Sequence, residues 1–201
     1  SFKKDVKKGL LSTPKYLDSK YIYDKKGSEL FSQIMQLPEY YLTNSERELI
    51  EQHADQIADN FGNEPFNLIE LGAGNGKKTN LLINSLIENN KDFRYIPVDI
   101  SKSAITNISE YMQGSFPDLE IKGMVADYFD ALKWLKKNSK RQNIVLFLGS
   151  SVGNFEPDPL VSFLKTLNNS LNRDDLLFIG FDLKKDIEKL IYAYNDSSGV
   201  T

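Results

Sequence analysis

The chain has 201 residues, 40% hydrophobic and 26% charged, with a net charge of -3, no cysteine and a single histidine. That suits one or two compact domains with a sizeable core, excludes a disulfide framework and thiolate metal sites, and leaves His53 alone for any imidazole chemistry. Lys and Arg are scattered, no apolar stretch approaches the roughly 20 residues of a membrane span, and the N-terminal SFKKDVKKGLLSTPKY lacks the apolar centre of a signal peptide. The expectation is a cytoplasmic protein that handles a small molecule, with no nucleic acid and no membrane as partner.

Residues 1–64 read as a helical region without a convincing strand. Gly27 and Ser28 lead into ELFSQIMQL, where Leu30, Phe31, Ile34, Met35 and Leu37 keep helical spacing until Pro38 stops them. After PEYYL, Thr43 and Ser45 each have a glutamate three residues on, Glu46 and Glu48, the capping-box pattern that starts a helix. Leu49, Ile50, His53, Ala54, Ile57, Ala58 and Phe61 mark its expected buried stripe, on which His53 reads as structural rather than as a base.

Residues 65–201 alternate between strand and helix, which calls for a mostly parallel sheet covered on both faces. Strands are expected at about 67–71, 94–98, 120–125, 143–148 and 176–181, separated by helical segments such as TNLLINSLIENN and DPLVSFLKTLNNSL. A helix-like KKDIEKLIYAY follows the fifth strand, so the sheet is expected to lack its final strands.

The first strand runs into Gly72-Ala73-Gly74-Asn75-Gly76, a turn that lets backbone N–H groups and a helix N-terminus approach a ligand. Lys77 stands where a dinucleotide fingerprint needs its third glycine, and no G-x-x-x-x-G-K-[ST] occurs, so neither a pyrophosphate cradle nor triphosphate hydrolysis is favoured. Glu70 before the glycines and Asp99 after the second strand suit a ligand with an ammonium end and a free ribose. S-adenosylmethionine has both, and its adenine suits Asp127 and Tyr128 of ADYF after the third strand. The glycines equally serve to tighten a turn and the aspartates to cap helices.

Several stretches carry a more specific resemblance: KYIYDKKGSELFSQIMQLPEYYLTNSERELI, ELGAGNGKKTNLLI, YIPVDIS, VADYF, FLGSSVGNFEP and GFDLKKDIEKLIYAYNDSSGVT. Together they resemble the histidine-specific Nα-methyltransferases of ergothioneine biosynthesis, in the family's order and over nearly the whole chain. The resemblance implies a class I, Rossmann-like α/β methyltransferase core at 65–201, preceded by a helical lid at 1–64, with the C-terminal part of the family fold absent. It implies S-adenosylmethionine as cofactor, no metal, and histidine as the amino-acid substrate, methylated three times on its α-amino group.

Matched position by position, Tyr23, Gly72, Gly74, Lys78, Asp99, Asp127 and Tyr128 fall on cofactor-binding positions. Tyr40, Asn154 and Tyr194 fall on positions that hold the substrate's amino and carboxylate groups, with Ser151 lining the same pocket and Tyr40 and Asn154 the candidates for catalysis. Where relatives commonly show T-R-T-E this chain has Thr43-Asn44-Ser45-Glu46, so the arginine that the resemblance implies would steady the lid over the site is absent. Another amino acid of the tryptophan type, a non-catalytic cofactor-binding module of a fusion, and a nicotinamide-dependent enzyme stay open as alternatives, and oligomeric state is not legible.

Overall fold

The computed structural model describes residues 2–17, 21, 25–138, 140–155 and 157–201. In chain order the elements are α1 (Phe2–Leu11), α2 (Lys25–Ile34), α3 (Tyr41–Asp59), β1 (Phe66–Leu71), α4 (Lys77–Glu88), β2 (Phe93–Asp99), α5 (Lys102–Ser115), β3 (Met124–Val125), α6 (Tyr128–Asn138), β4 (Gln142–Phe147), α7 (Pro157–Ser170), β5 (Leu176–Ile179) and α8 (Ile187–Ala193). A short 3-10 turn, Ser151–Asn154, separates β4 from α7. Among the described residues no helix is long and apolar enough to cross a membrane.

Two compact units form, Ser1–Tyr40 with Lys185–Thr201, and Tyr41–Lys184. The larger unit is a five-stranded parallel sheet in the order β3-β2-β1-β4-β5. β1 is central and every residue of FNLIEL is buried, as a strand covered on both faces requires. Side chains alternate: Phe66 and Leu68 join Tyr95, Ile144 and Leu146 in one core, while Ile69 and Leu71 join Ile96, Val98, Val145 and Phe147 in the other. The first core includes Ile50 and Ala58 of α3, Leu82, Ile83 and Leu86 of α4, and Ile108 and Met112 of α5. The second includes Leu132 and Leu135 of α6 and Phe163 and Leu167 of α7.

α3 packs against α4 in this unit, with the Asp55 carboxylate accepting hydrogen bonds from Ser85 Oγ at 2.7 Å and Asn89 Nδ2 at 3.1 Å. The packing therefore divides the chain at Tyr41 rather than after residue 64. α3 also starts earlier than its capping boxes suggest, so Thr43 and Ser45 lie inside the helix. Ile50, Ala58 and Phe61 are buried as expected, whereas Leu49 and His53 lie on the exposed flank, where His53 Nδ1 meets Gln56 Oε1 at 3.0 Å.

The third strand is much shorter than expected. Ile121 makes an isolated bridge to Tyr95, and pairing resumes only at Met124. Between them Gly123 runs so close to α5 that a Cβ there would sit 2.5 Å from Ile105 Cγ2, which interrupts the ladder.

The smaller unit contains α1, α2 and α8. Tyr40 is buried in it, edge-on to Phe31 at 6.1 Å and to Tyr194 at 5.8 Å between ring centroids. Glu39 accepts a hydrogen bond from Ser197 Oγ at 2.9 Å, joining the segment before Tyr40 to the segment after α8.

Candidate active site

In the larger unit the chain runs outward from β1 through β2 to β3 and then crosses back to place β4 on the other side of β1, so the carboxyl ends of β1, β2 and β4 converge on the topological switch point where open α/β sheets bind ligands. Gly72, Gly74 and Gly76 follow β1 with φ of +70°, +56° and +69°, a left-handed backbone that glycine adopts without a steric penalty. Each glycine meets a different neighbour. A Cβ at 72 would stand 2.7 Å from the Tyr128 hydroxyl, and one at 76 would stand 2.8 Å from Met112 and 2.9 Å from Ile108. At 74 nothing lies nearer than the Gly72 carbonyl at 3.9 Å, so Gly74 presents bare backbone to open space.

Asp99 ends β2 beside this turn. Its Oδ1 accepts the Ser101 N–H at 2.8 Å, and partial burial raises its pKa against the backbone hydrogen bonds from Ser101, Ile100 and Gly74 that lower it. A carboxylate short of solvent gains most from ligand hydroxyls. Asp127 caps α6, accepting the Phe129 and Asp130 N–H groups at 2.9 and 3.0 Å, both through Oδ1. The helix-capping role foreseen for Asp127 is thus present, and it uses one oxygen. Tyr128 packs edge-on against Phe147 and Phe163 in the second core, with its hydroxyl at Gly72.

Glu70 is turned into the core, contrary to expectation. Its carboxylate is buried, accepts hydrogen bonds from Thr79 Oγ at 2.6 Å and from the Tyr95 hydroxyl, and has its pKa raised to about 7 by desolvation. The alternation of β1 decides this, since Glu70 shares the face of Phe66 and Leu68. Its work is to tie β1 to the first turn of α4 and to β2 beneath the glycines.

Beyond β4 the chain turns through Gly149 and Ser150, both left-handed, into the 3-10 turn. Ser151 Oγ donates to the Leu148 carbonyl at 3.0 Å, and Asn154 stands exposed at the end of the turn. Lys78, in the first turn of α4, forms an ion pair with Glu46 of α3. Sequence reasoning took Glu46 only as a capping-box partner and so missed this pair, whose members lie 32 residues apart. Lys77 is exposed, and its N–H bonds Asn75 Oδ1 at 3.2 Å.

The larger unit therefore holds Gly72, Gly74, Lys78, Asp99, Asp127, Tyr128, Ser151 and Asn154, while Tyr40 and Tyr194 meet in the smaller one. Tyr23 lies outside the described residues. A separate cavity of about 280 Å³ opens at the amino ends of the strands, lined by Asn67, Arg94, Lys122, Trp134 and Arg141, and shares no residue with the glycine turn.

A parallel sheet in this order, with a glycine turn after β1 and Asp99 at the end of β2, is the Rossmann-like arrangement that S-adenosylmethionine-dependent methyltransferases share. Magnesium protoporphyrin IX methyltransferase from Synechocystis PCC 6803 matches it with a TM-score of 0.51 and 14% identity, over 87% of this chain and 81% of that one. The model of the family described as histidine-specific, SAM-dependent methyltransferases matches residues 2–201, and the chain belongs to that family. It is 35% identical over 201 residues to a histidine N-alpha-methyltransferase of Mycolicibacterium smegmatis, covering all of this chain and 61% of the relative. It is also 35% identical over 190 residues to ergothioneine biosynthesis protein 1 of Neurospora crassa, covering 94% of this chain and 22% of that protein.

Proposed function

We propose that the chain is the cofactor-binding part of an S-adenosylmethionine-dependent N-methyltransferase that acts on the α-amino group of histidine. The observation that carries the reading is Gly74, whose left-handed backbone fronts open space beside the partly desolvated Asp99. These residues fit the cofactor: bare backbone admits its amino-acid arm, and Asp99 accepts the ribose hydroxyls. Asp127 offers its second oxygen to the adenine amine, Tyr128 borders the base, and Lys78 offers its ammonium to the cofactor's carboxylate. Tyr23 is assigned to the cofactor by the resemblance alone.

When bound, the cofactor supplies an electrophilic methyl group on a sulfonium sulfur. The protein's contribution is then positioning, since an in-line displacement needs a neutral amine lone pair aimed at that carbon. The chain's residues would hold the amine deprotonated and in line with the carbon–sulfur bond, and the proton of its ammonium form would pass to a neighbouring hydroxyl or water. Asn154, with an amide that both donates and accepts, is proposed to grip the amino acid without adding charge. Tyr40 is proposed to take or relay the departing proton, and Tyr194 and Ser151 to hold the remaining polar groups. Membership of a histidine-specific family, and the 35% identity to a relative named for histidine, favour histidine over tryptophan-type amino acids.

The test is calorimetric titration of the chain with S-adenosylhomocysteine, alongside Gly74→Val and Asp99→Ala. Saturable binding that both substitutions abolish without unfolding supports the site. A folded wild-type chain with no binding refutes it for this chain. Incubation of the chain with histidine and cofactor, read by mass spectrometry for added methyl groups, tests the reaction.

A further inference from the structure

Glu46 is a half-buried carboxylate on which three parts of the glycine end of the sheet converge. Both of its oxygens accept the Gly149 N–H beyond β4, at 2.8 and 3.0 Å. Oε2 also pairs with the Lys78 ammonium at the start of α4, and a Cβ on Gly180, beyond β5, would collide with Oε1. The Glu46 and Lys78 side chains keep only 15% and 19% of their exposure, so the pair is shielded from the solvent that weakens surface ion pairs. Lys78 needs an anion there, because a cation in the first turn of a helix faces the positive end of its dipole.

We propose that Glu46 is a stand-in for the ligand's carboxylate: it holds Lys78 while no cofactor is bound and yields it to the carboxylate of the cofactor's amino-acid arm. This rests on the cofactor reading above. Lys78 carries one positive charge, so two carboxylates compete for it, and Glu46 weakens carboxylate binding while keeping the β4 turn in place through Gly149.

Glu46→Gln separates these two roles, since the amide oxygen still accepts the Gly149 N–H while the charge on Lys78 is left uncompensated. Calorimetry is done with S-adenosylhomocysteine and with 5′-methylthioadenosine, a nucleoside thioether that lacks the amino acid. Glu46→Gln binds S-adenosylhomocysteine about tenfold more tightly than wild type and 5′-methylthioadenosine equally well. In a Lys78→Gln background the same substitution changes neither affinity by more than about twofold, because coupling vanishes once the shared partner is gone. A second measurement needs no substitution: the Glu46 side-chain carboxyl carbon resonance shifts on adding S-adenosylhomocysteine and stays in place on adding 5′-methylthioadenosine.

Wild type that binds S-adenosylhomocysteine while Glu46→Gln binds it no better overturns the stand-in role and leaves the cofactor site intact. Equal tightening of both ligands overturns it too, as does an unmoved Glu46 resonance. Wild type that binds neither ligand removes the cofactor reading and this proposal together.

Discussion

Glu70 gives the fold a pH dependence that can be worked from its surroundings. The carboxylate is buried between Thr79 and Tyr95, and desolvation outweighs their two hydrogen bonds, raising its pKa from 4.5 to about 7. The unfolded chain releases this proton near 4.5 and the folded chain near 7, so between those values the folded state binds more protons. Stability from this group is therefore complete below pH 4.5, falls as pH rises, and is level above about 7. At 1.36 kcal/mol per unit the interval amounts to about 3 kcal/mol. Glu70→Gln copies the neutral form in size and hydrogen bonding and does not titrate. Urea melts followed by Trp134, which lies in the same unit, report the difference. The stability of the variant relative to wild type should rise by about 3 kcal/mol between pH 4.5 and pH 8, cancelling the titration of every other group. Curves for the two proteins that stay parallel across that range refute the assignment.

Three further outcomes are expected. Gly72→Ala forces a Cβ against the Tyr128 hydroxyl at φ +70° and should cost about 1–3 kcal/mol, partly restored by Tyr128→Phe; urea melts with no rescue would show that backbone strain alone is at work. S-adenosylhomocysteine affinity should fall on acidification at a higher pH than an ordinary aspartate would give, since Asp99 must be ionised to accept two ribose hydroxyls and its pKa is raised. Calorimetry across pH should find that dependence flattened in Asp99→Asn, with affinity reduced at least about tenfold at neutral pH. Gly180→Ala should lose about 1–3 kcal/mol against the tethered Glu46 carboxylate, and most of that loss should disappear in a Glu46→Ala background. Equal losses in both backgrounds would mean that Glu46 is not the obstacle.

The sheet was legible because its signal is local. NLIEL, RYIPV, NIVLFL and LLFIGF are apolar runs long enough to cross a core, and each reappears as a strand within two residues of the expected ends. Where the expectation failed, a contact between distant elements decided the matter. The third strand breaks at Gly123 because Ile105 of α5 stands against it, and nothing in EIKGMV announces that neighbour. α3 has helical spacing in its sequence, yet its place beside α4 depends on Asp55 meeting Ser85 and Asn89 about thirty residues away.

The same distinction runs through the site. Gly72, Gly74 and Gly76 announce a turn because left-handed backbone selects glycine, and Asp99 announces itself by ending a strand. The partners of a carboxylate are not written beside it. Glu70 resembles a ligand-facing acid in sequence, but one step of strand alternation turns it inward onto Thr79 and Tyr95. Glu46 resembles a helix cap, but it reaches Lys78 and a backbone N–H 103 residues along the chain. Both carboxylates frame the glycine turn without belonging to its motif: Glu70 fixes the floor beneath it, and Glu46 occupies the cation at its exit. A motif thus specifies where bare backbone meets a ligand, while the charges that set the energy of that meeting come from the fold.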